Sequence, residues 1–249
     1  MSRVYLTALA LCLLCLTGSY ATAAEKPMLV AHDATWPPME FMDAKRNLVG
    51  YSIDYIDAVA KEAGFAVEHI NVAWDGIFAG LAGGKYNIIA SSVSITEERA
   101  KIMDFTTPYY EVRQALITPK ATQVSSLADM KGKNLGAQIG TTGFMAIKKV
   151  DGIKAHTYDE IGMAMAALST GRLDGVVCDD PTATNYILEN KEYGEKMKVA
   201  LIVPSDEPEF YGFAVHKGDT ALLERMNKGI AAVKEKGIEK QLIKKWMNQ

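Results

Sequence analysis

From Met28 onward, short apolar runs alternate with amphipathic stretches, and glycine or proline marks most of the changes between them. This rhythm constrains the fold most. Short apolar runs are strand-length, whereas apolar residues three and four apart line one face of a helix. Strands alternating with helices build α/β layers with mostly parallel sheets. Residues 28–33 read as a buried strand, stopped by Trp36, Pro37 and Pro38. Ile53, Ile56, Val59, Ala60 and Ala63 mark a helix that Ser52 can cap and Gly64 can end. A strand over 65–72, a short helix opening at Asp75 and a strand over 86–90 complete a first unit.

After Pro108 a second unit begins, with strands over 114–118, 134–138 and 175–178. Between them lie a capped turn over 126–132 and a helix over 158–169, while Asp180 and Pro181 suit the start of another helix. A strand over 211–215 and a long amphipathic stretch over 222–247, divided by Gly237, follow. Two similar α/β units, with the chain returning to the first near its end, fit this order.

The residues ahead of the pattern are of another kind. Arg3 gives a positive start, residues 4–16 are an apolar run interrupted by Thr7, and Ala21, Thr22 and Ala23 supply small residues for a peptidase. The run is shorter than a membrane span needs. Residues 1–24 therefore read as an export signal cut after Ala23 or Ala24. Cys12 and Cys15 fall within it, so their spacing is no redox or zinc motif, and Cys178 is left unpaired. Removing Arg3 leaves the mature chain one unit more negative than the −3 of the whole. With 27 Lys and Arg against 30 Asp and Glu there is no basic surplus for a nucleic-acid partner.

Phosphate loops, dinucleotide fingerprints, nucleophile elbows and zinc signatures are absent, and His32, His69, His156 and His216 are scattered. What remains is a set of polar groups just after strand ends, where α/β proteins hold ligands. Arg99 follows Thr96, Glu97 and Glu98 at a helix start, where a cation is misplaced unless it meets an anion. It could grip a carboxylate bidentately or simply pair with Glu97 or Glu98. Residues 140–143, two threonines between glycines, could face the same carboxylate or merely cap a helix. Asp179 precedes the capping Asp180 and could accept a ligand ammonium or stand in solvent. Asp33 with Trp36 and Trp74 could hold a cation or planar amide, although one tryptophan is expected in the core. Together these suit an amino acid: a clamp for its carboxylate, an acid for its ammonium, and a second acid with aromatics for its side chain.

The chain resembles the periplasmic amino-acid-binding proteins of ABC importers, solute-binding family 3. The likeness is carried by Asp33-Ala-Thr-Trp-Pro-Pro-Met-Glu-Phe41, Gly50-Tyr-Ser-Ile-Asp54, Trp74-Asp75-Gly76-Ile77 and Gly140-Thr-Thr142. Its most specific stretch runs from Ser91-Ser-Val-Ser-Ile-Thr-Glu-Glu-Arg99 to Asp104-Phe-Thr-Thr-Pro-Tyr-Tyr110. Two departures are Met39, where the family usually has Phe, and Ser52, where it usually has an acid; neither maps onto the binding chemistry.

The resemblance implies a two-lobed periplasmic binding protein fold of type II, each lobe a mixed, mostly parallel sheet flanked by helices, with two hinge crossovers. Lobe one would be 25–112 plus 208–249, and lobe two 113–207. Carried over by position, Arg99 would bind the ligand carboxylate with Ser92, Ser94 and Thr142, and Asp179 its ammonium. Trp36 and Trp74 would flank the side chain, Asp33 would meet its polar end, and Gln138 stands where residues vary with ligand type. The expectation is a monomeric periplasmic receptor without cofactor or metal. It would deliver a polar, basic L-amino acid to an inner-membrane ABC permease, with glutamine as an alternative ligand. The rivals are a cyclohexadienyl dehydratase-like enzyme on the same scaffold and a soluble ligand-sensing partner of a receptor.

Overall fold

The computed structural model describes residues 26–247, so the export signal and its cleavage positions lie outside it. Strand β1 (Met28–His32) leads to three short strands, β2 (Thr35–Trp36), β3 (Glu40–Met42) and β4 (Leu48–Val49), which form a small antiparallel sheet. Helix α1 (Tyr51–Ala63) buries Ile53, Ile56, Val59 and Ala60, and Gly64 closes it in the left-handed conformation at φ 74°. Its N-cap is Gly50, not Ser52. Ser52 is fully buried, with its hydroxyl 3.1 Å from that of Tyr109. Strand β5 (Val67–Asn71), α2 (Ile77–Ala82), β6 (Ile88–Ile89), α3 (Glu97–Ala100) and β7 (Met103–Phe105) follow. Gly76, rather than Asp75, is the residue before α2.

Strand β8 (Tyr110–Val112) carries the chain to β9 (Gln114–Pro119) and then a 3-10 turn, Leu127–Met130, closed by a Ser126–Asp129 capping box. Next come β10 (Asn134–Gln138), α4 (Thr142–Lys148), β11 (Lys154–Tyr158), α5 (Ile161–Ser169) and β12 (Gly175–Asp179). The helix expected from residue 158 thus starts at Ile161, because Tyr158 is paired to Gln138 in an edge strand. That strand is mostly exposed and polar, so it lacks the apolar signal of an interior strand. Helices α6 (Asp180–Glu189) and α7 (Lys191–Lys196) precede β13 (Met197–Ile202). The strand expected over 211–215 is two, β14 (Glu209–Tyr211) and β15 (Ala214–His216). Helices α8 (Thr220–Glu235) and α9 (Ile238–Trp246) divide at Gly237 as the spacing predicts.

Among the described residues two five-stranded sheets dominate, in the orders β5-β1-β6-β15-β7 and β11-β10-β12-β9-β13. In each, the first three strands are parallel and the fourth is antiparallel to both its neighbours, so four strands share one direction. The reversed strands, β9 and β15, directly follow β8 and β14, which pair with each other, Tyr110–Val112 against Glu209–Tyr211. The two connections between the sheets therefore lie side by side. Around them Tyr109 stacks on Phe213 at 4.2 Å, with Tyr51, Tyr55 and Tyr211 nearby. Beside the first sheet's core α1 packs on α8. Their backbones approach so closely that a Cβ on Gly229 would lie 2.6 Å from the Val59 carbonyl oxygen.

Candidate functional site

Four parallel strands, two from each sheet, end at one gap. Asp33 follows β1, Ser91, Ser92 and Ser94 follow β6, Gln138 ends β10 ahead of Thr141 and Thr142, and Asp179 ends β12. Together with Trp36, Trp74, Arg99 and Glu40 they line a cavity of ≈ 300 Å³ empty volume. All nine residues singled out in the sequence meet there: Asp33, Trp36, Trp74, Ser92, Ser94, Arg99, Gln138, Thr142 and Asp179. Thr141, one of the two threonines expected to face the carboxylate, joins them, and so do Glu40 and Ser91. These last two lie in stretches that carry the family resemblance, but neither is assigned a role by residue type, since one acid in a short strand is ordinarily solvated.

Arg99 is held by its helix start. Thr96 caps α3, accepting from the Arg99 backbone N–H at 3.2 Å. The guanidinium turns inward instead of pairing with its neighbours, and Glu98 pairs with Lys101. It lies 5.5 Å from the Trp74 ring centroid and 5.1 Å from that of Phe78. Nη1 donates to the Ser94 carbonyl at 2.8 Å, and Nη2 crosses to the Gly140 carbonyl at 3.1 Å. Burial lowers its pKa to about 10, opposed by Asp179 and Glu209, so it keeps its charge at neutral pH.

Asp179 occupies the N-cap position of α6, one residue earlier than expected, yet its side chain makes no cap bond. Asp180 turns away to Arg113 at 2.9 Å. The Asp179 carboxylate accepts from Trp36 Nε1 at 3.3 Å, from Gln114 Nε2 at 2.6 Å and from the Tyr211 hydroxyl. Burial, then the nearby Glu209, pushes its pKa up to about 7 despite these donors. Glu209 itself accepts from Thr142 Oγ1 at 2.6 Å and from Gln114. Gln114, Glu209 and Tyr211 act behind Asp179 and carried no signal, because they become neighbours only where β8, β9 and β14 converge.

Asp33 accepts from Thr35 Oγ1 at 2.9 Å and from Gln138 Nε2 at 2.7 Å. Burial raises its pKa, with these two donors opposing. Ser92 adopts a left-handed φ of 45°, unusual away from glycine and a conformation that recurs at ligand sites. Ser94 Oγ lies 3.4 Å from Thr142 Oγ1 across the gap. Trp36 and Trp74 are both buried and both line the cavity, so the tryptophan expected in the core is at once core and wall. The wall thus sets three carboxyls, Asp33, Glu40 and Asp179, against one guanidinium. Among the described residues no cluster of three or more His, Cys, Asp or Glu could hold a metal ion.

Comparison with known proteins matches residues 28–249 to the bacterial extracellular solute-binding proteins, family 3. A probable histidine-binding protein of Neisseria gonorrhoeae is 34% identical over 212 residues, 84% of this chain and 78% of that protein. The ABC transporter arginine-binding protein 1 of Escherichia coli strain K12 is 34% identical over 234 residues, 92% and 93% of the two chains. An ancestral arginine-binding protein bound to arginine superposes with TM-score 0.84 at 36% identity, covering 90% of this chain and 99% of that one. An ancestral arginine-binding protein bound to glutamine also superposes with TM-score 0.84 at 36% identity, covering 91% of this chain and 100% of that one.

Proposed function

The chain belongs to the bacterial extracellular solute-binding proteins, family 3, and on that premise we propose that it captures a basic L-amino acid between its two lobes and delivers it to an ABC permease. It is a binding protein rather than an enzyme, as its relatives are named. One observation carries the choice of ligand: an excess of acidic over basic groups around a cavity between the two sheets whose polar ends suit a zwitterion. Arg99, aided by Ser92, Ser94 and Thr142, takes the α-carboxylate, and Asp179 takes the α-ammonium. Trp36 and Trp74 flank the side chain, Asp33 meets its cationic end, and Gln138 orients Asp33 through their 2.7 Å hydrogen bond.

Glutamine is the second reading, favoured by the ancestral relative that has been solved bound to it. Its side-chain amide could donate to Asp33 but brings no charge to offset the acids.

The lobes in this reading are 25–112 with 208–249, and 113–207, joined at the paired strands β8 and β14. Residues 1–24 direct export to the periplasm and are removed after Ala23 or Ala24, and the mature protein works as a monomer. Thermal unfolding with each of the twenty amino acids tests the reading. A ligand at ~100 times its dissociation constant adds about 2.7 kcal/mol of stability. Arginine, lysine or histidine should give the largest shift, and Arg99→Ala should lose roughly 2–5 kcal/mol of binding by calorimetry. No shift with any amino acid would overturn the proposal.

A further inference from the structure

Outside the cavity, a run of hydrogen bonds through two histidines needs more protons than two neutral rings can supply. His32 ends β1 with no solvent exposure, and its Nδ1 lies 2.5 Å from the carbonyl oxygen of Ala90, the residue after β6. Its Nε2 lies 2.8 Å from Nδ1 of His69 on β5. Nε2 of His69 in turn lies 2.9 Å from a carboxylate oxygen of Asp57 on α1. Asp57 and His32 are the titratable groups hydrogen-bonded to His69, from α1 and β1, and β6 offers the run only a carbonyl.

The chemistry of the partners fixes the donors. A carbonyl oxygen only accepts, so His32 Nδ1 donates, and an ionised carboxylate only accepts, so His69 Nε2 donates too. The central contact needs one proton more, because two bare ring nitrogens 2.8 Å apart would turn lone pairs on each other. Two neutral imidazoles carry one N–H each, whereas the run of contacts uses three such groups. The pair therefore holds one extra proton, balanced by Asp57. Placing that proton on Asp57 instead would leave a half-exposed carboxyl un-ionised beside a bare imidazole nitrogen, against the ordinary acidities of the two groups. Burial, then His69, holds the His32 pKa down to about 3, so His32 is the neutral ring and His69 carries the charge.

The run joins four elements where the chain leaves the first sheet for the cavity. Asp33 follows His32 and donates its backbone N–H to Ser91 Oγ at 2.8 Å, next to Ala90. The Ala34 N–H donates to Asn71 Oδ1 at 3.0 Å, at the end of β5. We propose that His32 and His69 form a singly protonated pair, a pH-sensitive bolt that ties α1, β5, β1 and β6 together and releases α1 when an alkaline medium removes its proton. The release falls on the Asp57 contact, because the remaining N–H of His69 stays on the buried bond to His32. The sign on folding is definite. Where the folded pair keeps a proton that a free histidine has lost, its contribution to stability falls as pH rises above the ordinary 6.5. None of this requires a ligand, so the bolt stands whether or not an amino acid binds.

Nitrogen NMR of the full mature chain with labelled histidines, at pH about 7, counts the protons directly. One of the two rings should be protonated at both nitrogens and the other at one, with His69→Gln assigning the signals. Two neutral rings would overturn the proposal. His69→Gln keeps a donor to His32 and removes the titratable ring. It should lower the melting temperature by roughly 2 °C or more further at pH about 6 than at pH about 8.5. Asp57→Asn, at a half-exposed position, should shift in the same direction and reports even if the first variant does not fold. An equal loss at both pH values in the folded variants would overturn the bolt.

Discussion

Asp179 accepts from Trp36, Gln114 and Tyr211, yet burial and Glu209 still push its pKa up to about 7. If Asp179 takes the ligand ammonium as proposed, it must do so ionised, so below that pH binding must first remove a proton. Affinity should be flat above pH about 7 and fall by up to tenfold per unit below it. The same shift acts on folding with a definite sign. Between the ordinary 3.8 and about 7 the native state holds a proton that the unfolded chain has lost, so stability falls as pH rises through that window. Asp33 and Glu40, also raised, act in the same direction. His32, lowered to about 3 chiefly by burial and then by His69, acts oppositely, losing stability as pH falls from 6.5. Comparing Asp179→Asn with wild type cancels the His32 contribution. The variant should gain more thermal stability over wild type at pH about 8 than at pH about 5. An equal difference at both pH values would remove Asp179 as the source.

Among the elements, the start of α1 positions the hairpin that brings Trp36 and Glu40 to the cavity wall. Its first free N–H groups are not satisfied by a side chain. Tyr51 donates to the Pro38 carbonyl at 3.0 Å and Ser52 to the Met39 carbonyl at 2.9 Å, both in the turn between β2 and β3. This is why Ser52, a good cap by residue type, is spent in the interior instead. The approach requires Gly50, whose φ is 139° and whose Cβ, if present, would lie 2.1 Å from the Met39 carbonyl oxygen. Gly50→Ala should therefore push the hairpin carrying Trp36 and Glu40 away from α1. The expected loss is about 2 kcal/mol or more of stability, with weaker ligand binding. Urea unfolding and calorimetry measure the two effects, and an unchanged urea midpoint would show that the turn absorbs a methyl group.

At the scale of the molecule, the two sheets meet at the cavity through a few polar contacts. Gln138 reaches Asp33 at 2.7 Å, Trp36 reaches Asp179 at 3.3 Å, and Arg99 reaches the Gly140 carbonyl at 3.1 Å. Ser94 Oγ lies 3.4 Å from Thr142 Oγ1. If the lobes close on the ligand as proposed, a ligand touching both sides would add to these contacts directly and shift the population toward the closed form. Small-angle scattering should show the radius of gyration falling when the preferred amino acid saturates the protein. Gln138→Ala removes one link and one support of Asp33. It should leave the ligand-free form more open and weaken binding by roughly tenfold. A radius that ligand leaves unchanged would argue against closure as the binding step.

The strand and helix rhythm, the left-handed end of α1 at Gly64 and the Thr96 cap of the helix that carries Arg99 were legible because each is a local rule. Hydrophobic spacing, cap chemistry and turn chemistry act within a few residues. The nine site residues were legible through motifs that each follow the end of a strand, where ligand groups gather. Strand β11 was not, because as an exposed edge it carries no buried face. The split at Gly212 was not, because there a Cβ would meet Ile95 at 2.9 Å, a contact set by a distant segment. Glu40 falls inside one of those motifs, but its burial was not legible. A single acid reads as solvated in sequence, and only the hairpin packed under α1 buries it completely and sets it in the cavity lining with Asp33 and Asp179. Local residue patterns are enough for the alternation of elements and for the identity of most groups around the gap. Which acids are desolvated together follows only from the packed chain, because burial and mutual repulsion depend on distances between segments far apart in sequence.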